Sequence, residues 1–140
     1  MTVANTGSGE KRDVGFKDSV TVTITDKMVR QFAEVSGDFN PIHLDEDYAK
    51  TTRFGRRIAH GMIIGAIISR ALNEKIGAGG VYLGQNLKFV SPVHIDDTVT
   101  VEVTITGLRK EKLIASVDTI AKKQTGEIVA KGEAIIMMAM

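Results

Sequence analysis

The chain of 140 residues contains no cysteine. That absence excludes disulfides, thiolate zinc sites and a cysteine nucleophile. It is compatible with a reducing cytoplasm, where the protein is expected to reside. An excess of one charge is also missing: 18 basic residues face 17 acidic ones, a net charge of +1. No field for a nucleic-acid partner is therefore expected. The basic residues are scattered, and the pairs Arg56-Arg57 and Lys122-Lys123 read as solvated surface. The longest apolar run lies around Met62 to Ser69. It falls short of the roughly 20 residues that span a bilayer, so no membrane insertion is expected. Met1 to Gly9 is polar and small, without the apolar stretch of a signal peptide. There is no internal repeat, and no low-complexity segment beyond this tail.

What is there is ordinary in bulk, at 43% hydrophobic and 25% charged. The length suits one domain burying roughly two-thirds of its unfolded surface. We expect a flexible tail over residues 1–13 and a single domain over 14–140.

Val20, Val22 and Ile24 alternate with threonines, which predicts a strand. Thr25 or Asp26 then offers an N-cap for a helix carrying Met28, Val29, Phe32, Ala33 and Val35, expected to stop near Gly37. Residues 37–44 read as a loop, held extended at Asn40 by Pro41. Asp45-Glu46-Asp47 places acids at the start of a short helix running to about Thr52. A longer helix over 60–75 is apolar nearly all round, which marks a buried element. One of its faces differs, because Gly61, Gly65 and Ser69 sit four apart. That stripe either lets a neighbouring strand pack close or leaves room for a ligand.

After Gly77-Ala78-Gly79-Gly80 come strands: Val81 to Val90, Thr98 to Thr106, Leu113 to Ala121 and Ile128 to Met138. Short turns between consecutive strands predict an antiparallel sheet and an α+β fold. The glycine run is not a dinucleotide loop. Tyr82 stands where that pattern needs glycine, and the run follows a helix instead of opening one.

The segment Ser36-Gly37-Asp38-Phe39-Asn40-Pro41-Ile42-His43 carries the chemistry. A bend at Asn40-Pro41 can bring the Asp38 carboxyl and the His43 imidazole toward one point. Taken singly, Asp38 reads as a turn or cap residue and His43 as a surface or hydrogen-bonding residue. His60 reads as structural beside the helix start, or as approaching the site. His94 reads as surface or packing. Three histidines without HExxH-type spacing give no metal site, and none is expected.

Phe32 to Asp45, with Ala49 beyond, resembles the hydratase-2 motif of MaoC-like (R)-specific enoyl-CoA hydratases. The likeness continues in Ala59-His60-Gly61-Met62, Tyr82-Leu83-Gly84-Gln85, Phe89-Val90-Ser91-Pro92-Val93 and Asp96-Asp97-Thr98-Val99, covering roughly residues 15–138. The resemblance implies a hot-dog fold, a long central helix wrapped by a curved antiparallel sheet. It implies reversible syn hydration of trans-2-enoyl-CoA to (R)-3-hydroxyacyl-CoA, a hydro-lyase reaction needing no cofactor, since CoA or an acyl carrier protein carries the substrate. Asp38 and His43 are then the catalytic pair and Asn40 an orienting residue, or one that only fixes the loop. Gly61 becomes a backbone N–H donor to the thioester oxygen. Ser69, Leu72 and Met137 line an acyl pocket for a short chain of about four to six carbons, with core packing the alternative for Leu72 and Met137. A homodimer is the expected assembly. The nearest rival is a 3-hydroxyacyl-[acyl-carrier-protein] dehydratase of fatty acid synthesis. Thioester hydrolysis and a non-catalytic acyl-thioester binder are further alternatives.

Overall fold

Alternation along the third strand sets the frame. Val99, Val101, Val103 and Ile105 are all buried, while Thr100, Glu102 and Thr104 on the opposite face are only half-buried. A computed structural model describes residues 12–139. The tail expected over 1–13 thus lies mostly outside the described residues. Of its last two positions, Arg12 donates to the Lys75 carbonyl at 2.7 Å.

The elements run β1 (Lys17–Thr23), α1 (Asp26–Ser36), α2 (Pro41–Leu44), α3 (Glu46–Lys50) and α4 (Gly61–Ala71). A wide π turn, Leu72–Ile76, continues α4, followed by β2 (Val81–Phe89), β3 (Thr98–Arg109), β4 (Ile114–Lys123) and β5 (Ile128–Met137). The five strands form one sheet in the order β1-β3-β4-β5-β2, antiparallel throughout.

The register brings small and branched residues to one face: Val20 pairs Val101, Val101 pairs Ala121, and Ala121 pairs Ala130. α4 packs into that concave face. Ile63, Ile64, Ile67, Ile68 and Ala71 are buried in the same cluster as the strand residues. Each fully buried isoleucine contributes about 1.5–3 kcal/mol of hydrophobic stabilisation, so this helix anchors the fold. Gly132 of β5 is required by close approach, because a Cβ there would collide with the Asn86 backbone of β2. The expected α+β architecture, a helix wrapped by an antiparallel sheet, is what the chain adopts.

Thr25 caps α1 by accepting the Met28 N–H at 3.2 Å. Gly37 closes the helix in the left-handed region, at φ 78°, where glycine is favoured. One expectation is corrected. Residues 41–44 form a helical turn rather than a loop, because Pro41 supplies helix-compatible φ at the first position and the Asn40 side chain accepts the Ile42 N–H at 3.1 Å. Asn40 itself stays extended, at ψ 125°, as a residue before proline should. Among the described residues no helix is long and apolar enough to cross a membrane.

Candidate active site

The site begins where α1 stops. Ser36 Oγ donates to the Phe32 carbonyl at 2.7 Å and accepts the Asp38 N–H at 3.1 Å. Asp38 Oδ1 accepts the Asn40 N–H at 3.2 Å, an Asx-type turn that aims an exposed carboxyl inward from the loop. Asn40 thus touches Asp38 through its main chain, while its side-chain oxygen caps α2. Two residues past Pro41, α2 drives His43 down into the structure, where it is 8% exposed.

His43 has a defined tautomer. Its Nδ1 lies 2.8 Å from the Ile58 carbonyl. A carbonyl can only accept, so Nδ1 carries the hydrogen and Nε2 keeps a lone pair. Burial holds the His43 pKa below its ordinary value of 6.5, with the His60 ring acting in the same direction; the Ile58 hydrogen bond and Asp38 oppose them. The neutral ring is therefore the resting form.

His60, immediately before α4, is 2% exposed. Its ring stacks on His43, with centroids 3.9 Å apart and planes at 29°. Its Nε2–H donates to the Asp38 carbonyl at 3.0 Å. One polar side-chain atom from each of Asp38, His43 and His60 falls within 4.8 Å of the other two.

His60 is the N-cap of α4 yet makes no side-chain cap bond, unlike Thr25, Asn40 and Asp45 before the other helices. The first amides of α4, that of Gly61 among them, are left without a side-chain acceptor. A helix start of this kind favours negative charge. Gly61 is also hemmed in: a Cβ there would lie 2.9 Å from the Phe89 ring of β2. Gly65 lies close to Met62 and Leu87. The small-residue stripe thus packs against β2 along its first half.

Asp38, His43, His60, Gly61 and Phe89 line one cavity of about 550 Å³. It has apolar walls and few polar groups, the usual character of a small-molecule site. Ser69 and Leu72 line a different cavity of about 540 Å³ at the other end of α4, with Tyr82 and Ile136. Eight residues of helix separate Gly61 from Ser69, about 12 Å. Met137 pairs with Val81 at the end of β5, is 41% exposed, and lines neither cavity.

Sequence reasoning misread two cations as solvated. The Arg57 side chain is 10% exposed and turned inward. Its Nε donates to the His43 carbonyl at 2.7 Å. Lys123 is 14% exposed and paired with Asp97 and Glu127. The strand alternation that buries Ala121 could have flagged Lys123 two residues on; no pattern marked Arg57. His60, read as structural or as near the site, is both.

A family model described as MaoC like domain matches residues 7–128. The chain is 40% identical over 132 residues to an (R)-specific enoyl-CoA hydratase of Aeromonas caviae, covering 94% of this chain and 98% of that one. It is 44% identical over 125 residues to an (R)-specific enoyl-CoA hydratase of Rhodospirillum rubrum, covering 89% and 86%. The unliganded (R)-hydratase structure from Pseudomonas aeruginosa superposes with a TM-score of 0.86 at 43% identity, covering 90% of this chain and 81% of that one.

Proposed function

This chain belongs to the MaoC-like domain family, and from that premise we propose that it is an (R)-specific enoyl-CoA hydratase. It adds water syn across the double bond of a trans-2-enoyl-CoA, giving the (R)-3-hydroxyacyl-CoA, and catalyses the reverse dehydration. The observation that carries this reading is the convergence of Asp38, His43 and the uncapped Gly61 amide on one apolar cavity.

Hydrogen-bonding capacity supports the following roles. Asp38 carboxylate and His43 Nε2 are both acceptors. A water between them donates one hydrogen to each and turns its lone pairs outward, toward C3 of a bound enoyl thioester. As the O–C3 bond forms, the C2–C3 π electrons shift to the thioester oxygen. The Gly61 N–H faces that growing charge, a donor worth roughly 10²–10³ in rate. The proton that the water gives up to the Asp38–His43 pair returns to C2 from the same face, which makes the addition syn. No cofactor enters this scheme beyond the CoA that carries the acyl group.

A homodimer fits the sheet. β2 is an edge strand, and Val81, Leu83 and Phe89 along it are about half exposed. Pairing two such edges would cover unpaired backbone and this apolar surface. Antiparallel pairing about a two-fold axis lays the Val81 end of one β2 beside the Phe89 end of the other. The Ser69–Leu72 cavity of one copy then extends the catalytic cavity of its partner, which supports a short acyl chain reaching those residues. The cysteine-free composition suits the cytoplasm.

Purified protein given crotonyl-CoA should remove the conjugated thioester absorbance and yield the (R)-3-hydroxy product. Asp38→Asn and His43→Ala should each lose at least about 10²-fold in turnover with the fold kept. Release of free CoA thiol without loss of the double bond, or near-normal turnover in both variants, would sink the assignment.

A further inference from the structure

The reaction scheme leaves unused a buried titratable group that touches the catalytic pair. His60 Nδ1 is buried and has no hydrogen-bond partner among the described residues. An unsatisfied buried polar atom is uncommon and calls for a reason. The rest of the ring is fully engaged. Its Nε2–H holds the Asp38 carbonyl, one face lies on His43, and Phe32 packs against it at 4.9 Å. As residue before Gly61, it also withholds any cap from α4.

We propose that His60 is a positioning residue for the hydration step, locking the two members of the catalytic pair to each other and to the start of α4. Asp38 and His43 sit on different pieces of chain, a loop and a helical turn, each pinned locally. Among the described residues, the His60 side chain touches both, through the Asp38 carbonyl and the His43 ring. Without it, each keeps its own local contacts, but the side-chain link between the two is lost and their spacing rests on the Asn40-Pro41 bend. A displacement of about 1 Å between reacting groups can cost about 10²-fold in rate.

The ring also shapes the electrostatics of the pair. The titratable and charged groups around His43 are Asp38 from the loop, His60 from the start of α4, Arg57 on its carbonyl and Arg53 on the cavity wall. Of these, His60 favours the neutral form of His43 and Asp38 opposes it.

This inference rests on the hydratase reading, which wild-type turnover of crotonyl-CoA tests by itself. Two substitutions then separate the functions of His60. His60→Phe keeps a ring against His43 and removes the donor to Asp38. His60→Gln keeps a donor of similar reach and removes the ring. With the fold checked by near-UV circular dichroism, His60→Phe should lower kcat about 10²-fold with KM changed less than about 3-fold. His60→Gln should recover at least about a tenfold part of that loss. In both, the acid limb of the kcat/KM profile should move to higher pH. Wild-type kcat in His60→Phe, or equal loss in two folded variants with an unmoved limb, would overturn the proposal. So would collapse of the fold in both, because the role assigned is local.

Discussion

Arg57 Nη2 lies 2.6 Å from Asp26 Oδ1, so the segment before α4 is tied to the first turn of α1. The same guanidinium donates from Nε to the His43 carbonyl. The two ends of this bridge are unequal. Asp26 is half exposed and also paired with Arg30, whereas the Arg57 side chain is nearly buried.

Removing each partner should therefore cost different amounts. Asp26→Asn trims a half-exposed ion pair and should cost under about 1 kcal/mol. Arg57→Leu also leaves the His43 carbonyl without its charged donor and should cost about 2–3 kcal/mol. Urea unfolding midpoints check the order, and kcat should fall in the Arg57 variant only. The Asp26 carboxyl is held below 3.8, by the Arg57 hydrogen bond first and the Arg30 hydrogen bond second. Its contribution is fully present above that value and fades as pH falls through the lowered pKa. Arg57→Leu should thus flatten stability against pH in the acid range.

His43 gives the pH dependence of activity. Burial depresses its pKa from 6.5, with His60 contributing and the Ile58 and Asp38 interactions opposing. Between the folded and unfolded values the unfolded chain binds the extra proton, so stability from this group is complete above 6.5 and declines as pH falls toward the folded value. The Nε2 lone pair persists over the same window. The acid limb of kcat/KM on crotonyl-CoA should have its midpoint below 6.5. A midpoint at or above 6.5 would mean that the imidazole is not the group described.

Much of this was legible from residues alone. Alternation along β3 named its buried face, and Thr25 and Gly37 marked boundaries that the backbone keeps. Asp38 and His43 were readable because both lie in one short segment whose bend is set by Pro41. Arg57 was not, since its partners Asp26 and His43 lie 31 and 14 residues away and nothing local signals the approach. The helical turn at 41–44 was hidden by its length, because four residues show no periodicity. Ser69 and Leu72 were named together by the family resemblance, and they line one cavity. Their cavity is separate from the one that holds Asp38 and His43, which the resemblance did not indicate.

Gly61→Ala tests the helix start. Alanine is the better helix former by up to about 1 kcal/mol, but its Cβ would press on the Phe89 ring. Phe89 is half exposed and can yield, so stability should change by no more than about 1 kcal/mol in either direction. Activity should behave differently. The methyl group and the displaced ring intrude where the thioester oxygen has to approach the amide, so kcat should fall by about 10²-fold. Thermal midpoint and turnover measured on the same preparation separate the two effects. An active Gly61→Ala would remove the amide from the mechanism.

Carrier recognition can be tested at Arg53. It is exposed and stacked over Phe54 at 5.2 Å, and it is the one permanent cation among the described residues lining the catalytic cavity. CoA brings phosphates to that mouth, whereas a pantetheine thioester brings the same acyl group and arm without the nucleotide. Arg53→Ala should raise KM for crotonyl-CoA about 3–10-fold, the size of a partly screened charge contact, and leave kcat within about 2-fold. KM for crotonyl-pantetheine should not change. Added salt should shrink the difference between wild type and variant on the CoA ester, because exposed charges are screened within about 10 Å at 0.1 M. Equal effects on both esters would show that Arg53 acts on the acyl or pantetheine portion, and the nucleotide would then have to be held by other cations.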